Sequence, residues 1–131
     1  MMRRGLDRRY ARWALILFTA LFIFAVVVQI LTAGFGIFGA TSLDLHGDLG
    51  FTVTHGLSIL VFLAALVAWI GRSDLALAFL IGALTTIQVI LPSIDNGWIA
   101  GFHPLNAVVL FLLALLLLWR VASDSGLRRP A

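Results

Sequence analysis

The sequence predicts an all-α integral membrane protein, a single four-helix bundle of up-down-up-down topology with both termini in the cytoplasm. Hydrophobic residues make up 62% of the chain and its mean hydropathy is +1.09, whereas soluble domains contain roughly 45–50% apolar residues. Four apolar runs are each long enough to cross the ~30 Å hydrocarbon core of a bilayer. The length of 131 residues suits one domain, residues 1–131.

The first predicted helix covers residues 13–33 and follows a short basic tail, residues 1–12. Its apolar run is longer than the roughly 7–15 residues found in the apolar region of a cleaved signal peptide. We therefore expect a retained transmembrane helix. Three glycines between positions 34 and 39 then interrupt the pattern, so residues 34–48 are expected to form a loop or an interfacial segment.

The second predicted helix covers about residues 49–71. Its start stays open between Ser42, which suits an N-cap, and Phe51, which follows two glycines. The third predicted helix covers residues 75–91 and stops at Pro92, because proline disrupts a helix interior.

The fourth predicted helix covers residues 104–121 and is separated from the third by a loop, residues 93–102. Pro104 stands at its first position, where the missing N–H removes no helical hydrogen bond. A polar basic tail, residues 122–131, follows it.

The arginines predict the orientation. With four helices, both termini and the middle loop lie on one side, and all nine arginines fall there: Arg3, Arg4, Arg8, Arg9, Arg12, Arg72, Arg120, Arg128 and Arg129. The two opposite loops contain no Arg or Lys and carry Asp44, Asp48 and Asp95. This distribution places the termini in the cytoplasm of a plasma (inner) membrane protein. Because the arginines flank apolar runs, the expected partner is the lipid bilayer and not nucleic acid.

The composition excludes most chemistry. The chain has no Cys, so disulfides, thiolate metal sites and thiol catalysis are excluded. It has no Lys and no Glu, no acid in a helix centre, and no nucleophile–base pair at a defined spacing. We therefore expect no enzyme beyond an electron-transfer role, because an electron carrier takes its chemistry from its cofactor.

Two runs with the same layout point to a cofactor. His55 is followed seventeen residues later by Arg72, and His103 by Arg120. Seventeen helical residues rise ~26 Å, so arginines at one membrane face place both histidines at one level near the other face. Two imidazoles on neighbouring helices can hold heme b through its iron. Their expected position at the same depth in the membrane therefore favours His55 and His103 as the ligands.

The third histidine, His46, provides an alternative. If residues 46–55 form one continuous helix, His46 and His55 lie on opposite faces and cannot share a site. Gly50 lies one turn after His46 and leaves room for a porphyrin, whereas His55 has the bulkier Ile59. Local space therefore favours His46 with His103. Without a cofactor, His55 is expected to be neutral and bonded to Gln29, Gln88 or a Thr hydroxyl, His103 to cap a helix, and His46 to be a solvated loop residue.

The two halves of the chain also suggest an internal repeat. Gln29-Ile30-Leu31 near the end of the first helix has a counterpart in Gln88-Val89-Ile90-Leu91 of the third. Each half then reads as a helix, an outer loop, a histidine-bearing helix and an arginine. The resulting axis runs along the membrane normal, one of the repeat classes of membrane proteins.

At these residues the chain resembles one four-helix half of the heme A synthase family. It also resembles small bacterial four-helix membrane proteins of unknown function that carry His-Pro-x-Asn before the last helix. The residues are His46, Gly50, His103, Pro104 and Asn106. The resemblance implies heme on a histidine of the second helix, His46 or His55, and on His103 of the fourth. The family's outer-loop glutamate is absent, which argues against an oxygenase-like activity.

Three functions are compatible with these patterns. The first is a small heme-b protein for electron transfer near the outer face. The second is a cofactor-free structural or accessory subunit of a larger membrane complex, with other membrane-protein subunits as partners. The third, a small-solute transporter or channel, lacks any charged residue in a helix centre.

Overall fold

Four long helices make up most of the fold. The computed structural model describes residues 2–124, with side chains from residue 8 onward. The four helices are α1 (Met2–Ile37), α2 (Leu43–Ala68), α3 (Arg72–Ile90) and α4 (Phe102–Asp124). No strand occurs in this part of the chain. The predicted all-α, four-helix class is therefore confirmed, while the tail arginines Arg128 and Arg129 lie outside the described residues.

Each helix is long and apolar enough to cross a membrane. The outward-facing side chains are apolar as well: Phe24, Val67 and Phe79 are 66%, 68% and 62% exposed. An apolar surface on every side of the bundle is typical of a protein surrounded by lipid and unlike a water-soluble one. The helix α1, at 36 residues, spans ~54 Å and therefore extends beyond a ~30 Å hydrocarbon layer.

The helices form a four-membered ring around one core. Each contacts its neighbours in the sequence, and α1 closes the ring against α4. Within the described residues, the diagonal pairs α1–α3 and α2–α4 are not in backbone contact. Small buried residues allow close helix approach, and here they are Ala64, Ala65, Ala68, Ala78 and Ala114. Larger side chains fill the space between the helices: Leu15, Phe22, Val61, Ile81, Leu110 and Leu117.

The first two helices are longer than the sequence predicts. Helix α1 continues to Ile37 and α2 already begins at Leu43, so most of the expected loop at 34–48 is helical. Gly36 supports the close packing of the two helices, because a Cβ there would lie 2.5 Å from Leu43 Cδ2. Gly39 makes the turn between them with a φ of +76°, which glycine adopts without steric cost.

Helix α2 contains one wide turn. Residues Gly50–Thr54 form a π-helix between the α-helical segments Leu43–Leu49 and His55–Ala68. A π-helical turn pairs residues five apart and so absorbs one additional residue. Five other helical threonines donate their hydroxyls to a carbonyl three or four residues back. The buried Thr54 hydroxyl has no such partner.

At the end of the bundle where α2 ends and α3 begins, the structure has an ion pair and a cation–π contact. Helix α2 ends at Ala68 because Trp69 takes a left-handed conformation with a φ of 52°. The Arg8 guanidinium lies 5.6 Å from the centroid of the Trp69 ring. Arg120 Nε lies 2.7 Å from Oδ1 of the buried Asp74, and Arg120 Nη2 donates to Ser73 Oγ at 2.8 Å. These contacts tie α1 to the end of α2, and α3 to α4.

Candidate functional site

The structure brings His46 and His103 together. Their ring centroids are 5.8 Å apart and their planes are inclined by 75°. His46 lies in the first segment of α2 and His103 in the first turn of α4. The early start of α2 explains this placement, because it puts His46 on a long apolar helix and not in the expected loop. This is the pair that local space favours.

The ring of His55 is engaged elsewhere. It stacks on Phe51 one turn earlier in α2, at 6.2 Å between centroids and 14° between planes. Its Nδ1 is buried without a hydrogen-bond partner. Nine residues of regular helix would set His46 and His55 about 180° apart around the axis, and the wide turn reduces this to about 80°. His55 and His103 are the pair expected at one depth in the membrane, but the rings in contact are those of His46 and His103.

The first half of the site joins His46 to Gln29 of α1. His46 Nδ1 lies 3.0 Å from the Gln29 carbonyl oxygen, which accepts from the ring when Nδ1 carries the proton. The Gln29 amide nitrogen lies 3.0 Å from the His46 carbonyl, to which it donates, and its oxygen accepts from Gly50 N at 2.8 Å. The same amide nitrogen is 2.9 Å from His46 Nδ1, to which it donates when the proton is on Nε2, and Thr32 Oγ1 is 3.4 Å from that nitrogen.

Gly50 has a role in this half that differs from the predicted one. A Cβ at Gly50 would lie 3.3 Å from the Gln29 side-chain amide, closer than most side-chain contacts. The missing side chain therefore lets the Gln29 amide approach the backbone of α2, where its nitrogen donates to the His46 carbonyl. The glycine that suggested space beside a porphyrin makes room for a hydrogen-bonding partner of the histidine.

The second half repeats this arrangement between α3 and α4. His103 Nδ1 donates to the Gln88 carbonyl oxygen at 3.0 Å, and Gln88 Nε2 donates to the His103 carbonyl at 3.0 Å. Asn106 Nδ2 donates to Gln88 Oε1 at 2.6 Å and to the Leu84 carbonyl at 2.9 Å. Both glutamines of the chain thus hold a histidine of the next long helix in the same reciprocal way. This geometry agrees with the internal repeat that the sequence suggests.

The donor set fits a cofactor that brings most of its own ligands. Each Nδ1 is occupied by a carbonyl, so Nε2 is the ring nitrogen left for a metal atom on both histidines. No group of three or more His, Cys, Asp or Glu side chains suited to a metal ion occurs among residues 8–124. Two imidazoles without a third protein ligand match an iron whose other four ligands come from a porphyrin.

The spacing of the two rings is close to what such an iron requires. Metal–imidazole bonds of about 2.0–2.1 Å, with each ring centroid about 1.1 Å behind its nitrogen, set opposed rings about 6.3 Å apart. The observed 5.8 Å is within about half an ångström of that value. The histidines also belong to the diagonal pair α2 and α4, whose backbones are not in contact.

Comparison of the chain with protein-family models, with curated proteins and with solved structures gives no match.

Sequence reasoning did not assign the partners of the two histidines. It considered Gln29 and Gln88 only as partners of His55, and it gave Asn106 no contact of its own. A signal was present, because Gln29 and Gln88 are isolated strongly polar residues within apolar runs and recur in both halves. A polar side chain in such a run needs a hydrogen-bond partner, but only the folded helices show which one.

Proposed function

We propose that this chain is a small plasma-membrane protein that binds heme b between His46 and His103 and transfers electrons. The observation that carries the proposal is the contact of the two imidazoles, 5.8 Å between centroids, with Nδ1 of each ring directed at a backbone carbonyl. Two neighbouring imidazoles whose Nδ1 atoms contact the protein could hold a heme iron through their Nε2 atoms.

The chain's own groups would tune such a heme. The heme supplies the one-electron redox change when it is bound. The carbonyl oxygens of Gln29 and Gln88 can each accept from the Nδ1–H form that a ring ligating through Nε2 must have, and an Nδ1–H donated to an acceptor raises the basicity of the ligating nitrogen. Because two imidazoles would hold the iron, electron transfer is better supported than an oxygenase-like reaction.

The histidine variants test the proposal. The protein purified in detergent after expression with heme supply should show a Soret band and reduced-minus-oxidised bands of low-spin heme. His46→Ala should lose this heme, because the iron keeps at most one imidazole. His55→Ala is the matched control and should keep it, since the His55 ring contacts only Phe51 among rings of the described residues.

Two outcomes would overturn parts of this proposal. Heme lost from His55→Ala but kept in His46→Ala would return the site to the pair His55 and His103. A wild-type protein without a Soret band would favour a cofactor-free subunit of a larger complex, and gentle extraction followed by sizing would then look for its partner subunits.

The proposed topology is up-down-up-down, with the termini and all arginines cytoplasmic and the histidines toward the outer face. It is supported by the nine arginines beside the termini and the middle loop and by their absence from the other two loops. Reporters fused at either terminus or beside Arg72 should give a cytoplasmic signal. Reporters inserted after Gly39 or after Asp95 should give an external one, and an external signal from the C-terminus would contradict the topology.

A further inference from the structure

We infer that Asn106 is a positioning residue that acts through Gln88 on His103. The inference rests on the proposed function where it speaks of a heme ligand. The hydrogen bonds that carry it do not depend on a cofactor.

The chain of contacts begins at the Asn106 amide. Its nitrogen donates both hydrogens, one to Gln88 Oε1 at 2.6 Å and one to the Leu84 carbonyl at 2.9 Å. With Oε1 bound in this way, the orientation of the Gln88 amide is fixed and its Nε2 faces the His103 carbonyl at 3.0 Å. The amide therefore cannot flip without breaking two hydrogen bonds between α3 and α4.

Gln88 then acts on His103 at two points. Its side chain binds the His103 carbonyl, and its own carbonyl accepts from His103 Nδ1 at 3.0 Å. The first bond sets the position of the α4 backbone against α3, and the second sets the ring plane and the tautomer. Loss of the first bond allows the second to lengthen, and the His103 ring then moves relative to the His46 ring, whose centroid is 5.8 Å away.

The two halves of the site differ in how the glutamine is held. The Gln29 oxygen accepts from the backbone N–H of Gly50 at 2.8 Å, whereas the Gln88 oxygen accepts from a side chain. A substitution at Asn106 therefore loosens one histidine and leaves the other half intact. This asymmetry makes His46 an internal reference for any effect on His103.

The test compares Asn106→Leu with a double variant, Gln88→Leu/Asn106→Leu. Asn106→Leu leaves Gln88 Oε1 without its donor, which destabilises the fold, while the double variant removes that unpaired oxygen and should regain stability. Heme should dissociate about 10- to 100-fold faster from both variants. If dissociation returned to the wild-type rate together with stability in the double variant, Asn106 would have a purely structural role and the inference would fail.

Asn96, the only other asparagine, provides the matched control. Its side chain caps a short helical turn, Gly97–Ala100, by accepting from Trp98 N and Ile99 N. Asn96→Ala removes an asparagine's hydrogen bonds without touching the site, so its heme dissociation rate should equal that of the wild type. A rate increase as large as that of Asn106→Leu would contradict the inference.

A measurement without heme separates this inference from the proposed function. Nitrogen-15 NMR of the histidines in the apo protein should show His103 protonated at Nδ1, since its contact there is the Gln88 carbonyl at 3.0 Å. In Asn106→Leu, His103 should lose this tautomer preference while the His46 signals stay as in the wild type. A colourless wild-type protein with this NMR pattern would refute heme binding and retain the positioning role, whereas an unchanged His103 signal in the variant would refute the positioning role.

Discussion

His103→Ala is expected to abolish heme retention, the largest functional effect of any single substitution in this chain. His103 is the residue shared by both ligand pairs that the sequence suggests, and its ring faces His46 at 5.8 Å between centroids. Without His103 the iron has one imidazole at most. The Gln88 carbonyl oxygen also loses its hydrogen bond from His103 Nδ1, which is 3.0 Å long. The measurement is the ratio of Soret to protein absorbance after purification in detergent.

Added imidazole provides the control for His103→Ala. The substitution leaves a space of about one imidazole ring at the start of α4, so free imidazole in the buffer should restore part of the low-spin spectrum. Restoration would show that the variant still folds and lacks only the ligand. A wild-type spectrum in His103→Ala without added imidazole would rule out both ligand pairs.

Arg120→Met is expected to cause the largest loss of stability. Asp74 is buried, with 8% of its side chain exposed, and Arg120 Nε lies 2.7 Å from its Oδ1. Removing the arginine leaves a buried carboxylate without its counter-charge, which costs about 3–5 kcal/mol for fully buried pairs. Since 36% of the Arg120 side chain is exposed, we expect roughly 2–4 kcal/mol, measured by detergent-denaturant unfolding followed by circular dichroism.

The double variant Asp74→Asn/Arg120→Met separates charge burial from packing. Once the carboxylate is removed, no buried charge remains, so most of the lost stability should return. Arg72→Met, which replaces an exposed arginine at the start of α3, should change stability by less than about 0.5 kcal/mol. Equal losses in Arg120→Met and in the double variant would mean that the side-chain stem of Arg120, and not its charge, stabilises the bundle.

The helix count and the membrane-spanning length of each helix could be predicted because both depend on local composition. The helix ends could not, because they depend on contacts between helices. Glycines were expected to interrupt the chain between residues 34 and 50. Gly36 and Gly50 instead lie within helices and admit Leu43 and the Gln29 amide, respectively. A glycine that interrupts a helix and a glycine that allows close packing within one cannot be told apart from the sequence alone.

In the candidate site, too, local features could be predicted from the sequence, whereas features that depend on contacts between helices could not. His103 was predicted from its seventeen-residue spacing to Arg120 and from its place in His-Pro-x-Asn, which are both local features. The choice between His46 and His55 depended on where α2 begins and on the wide turn at Gly50–Thr54, and neither follows from periodicity. The pairing of each glutamine with a histidine 15 or 17 residues later depends on how the two turns between the helices fold.

The wide turn in α2 also determines where this helix can change length. Because Gly50–Thr54 already accommodates one residue more than an α-helical turn, losing one residue there would restore a regular helix and leave His46 at the same rotation. Losing one residue from His55–Ala68 would instead rotate His46 by about 100° against the core. Single-residue deletions in related chains should therefore accumulate between positions 50 and 54, and Thr54 would regain a carbonyl partner in those shortened helices.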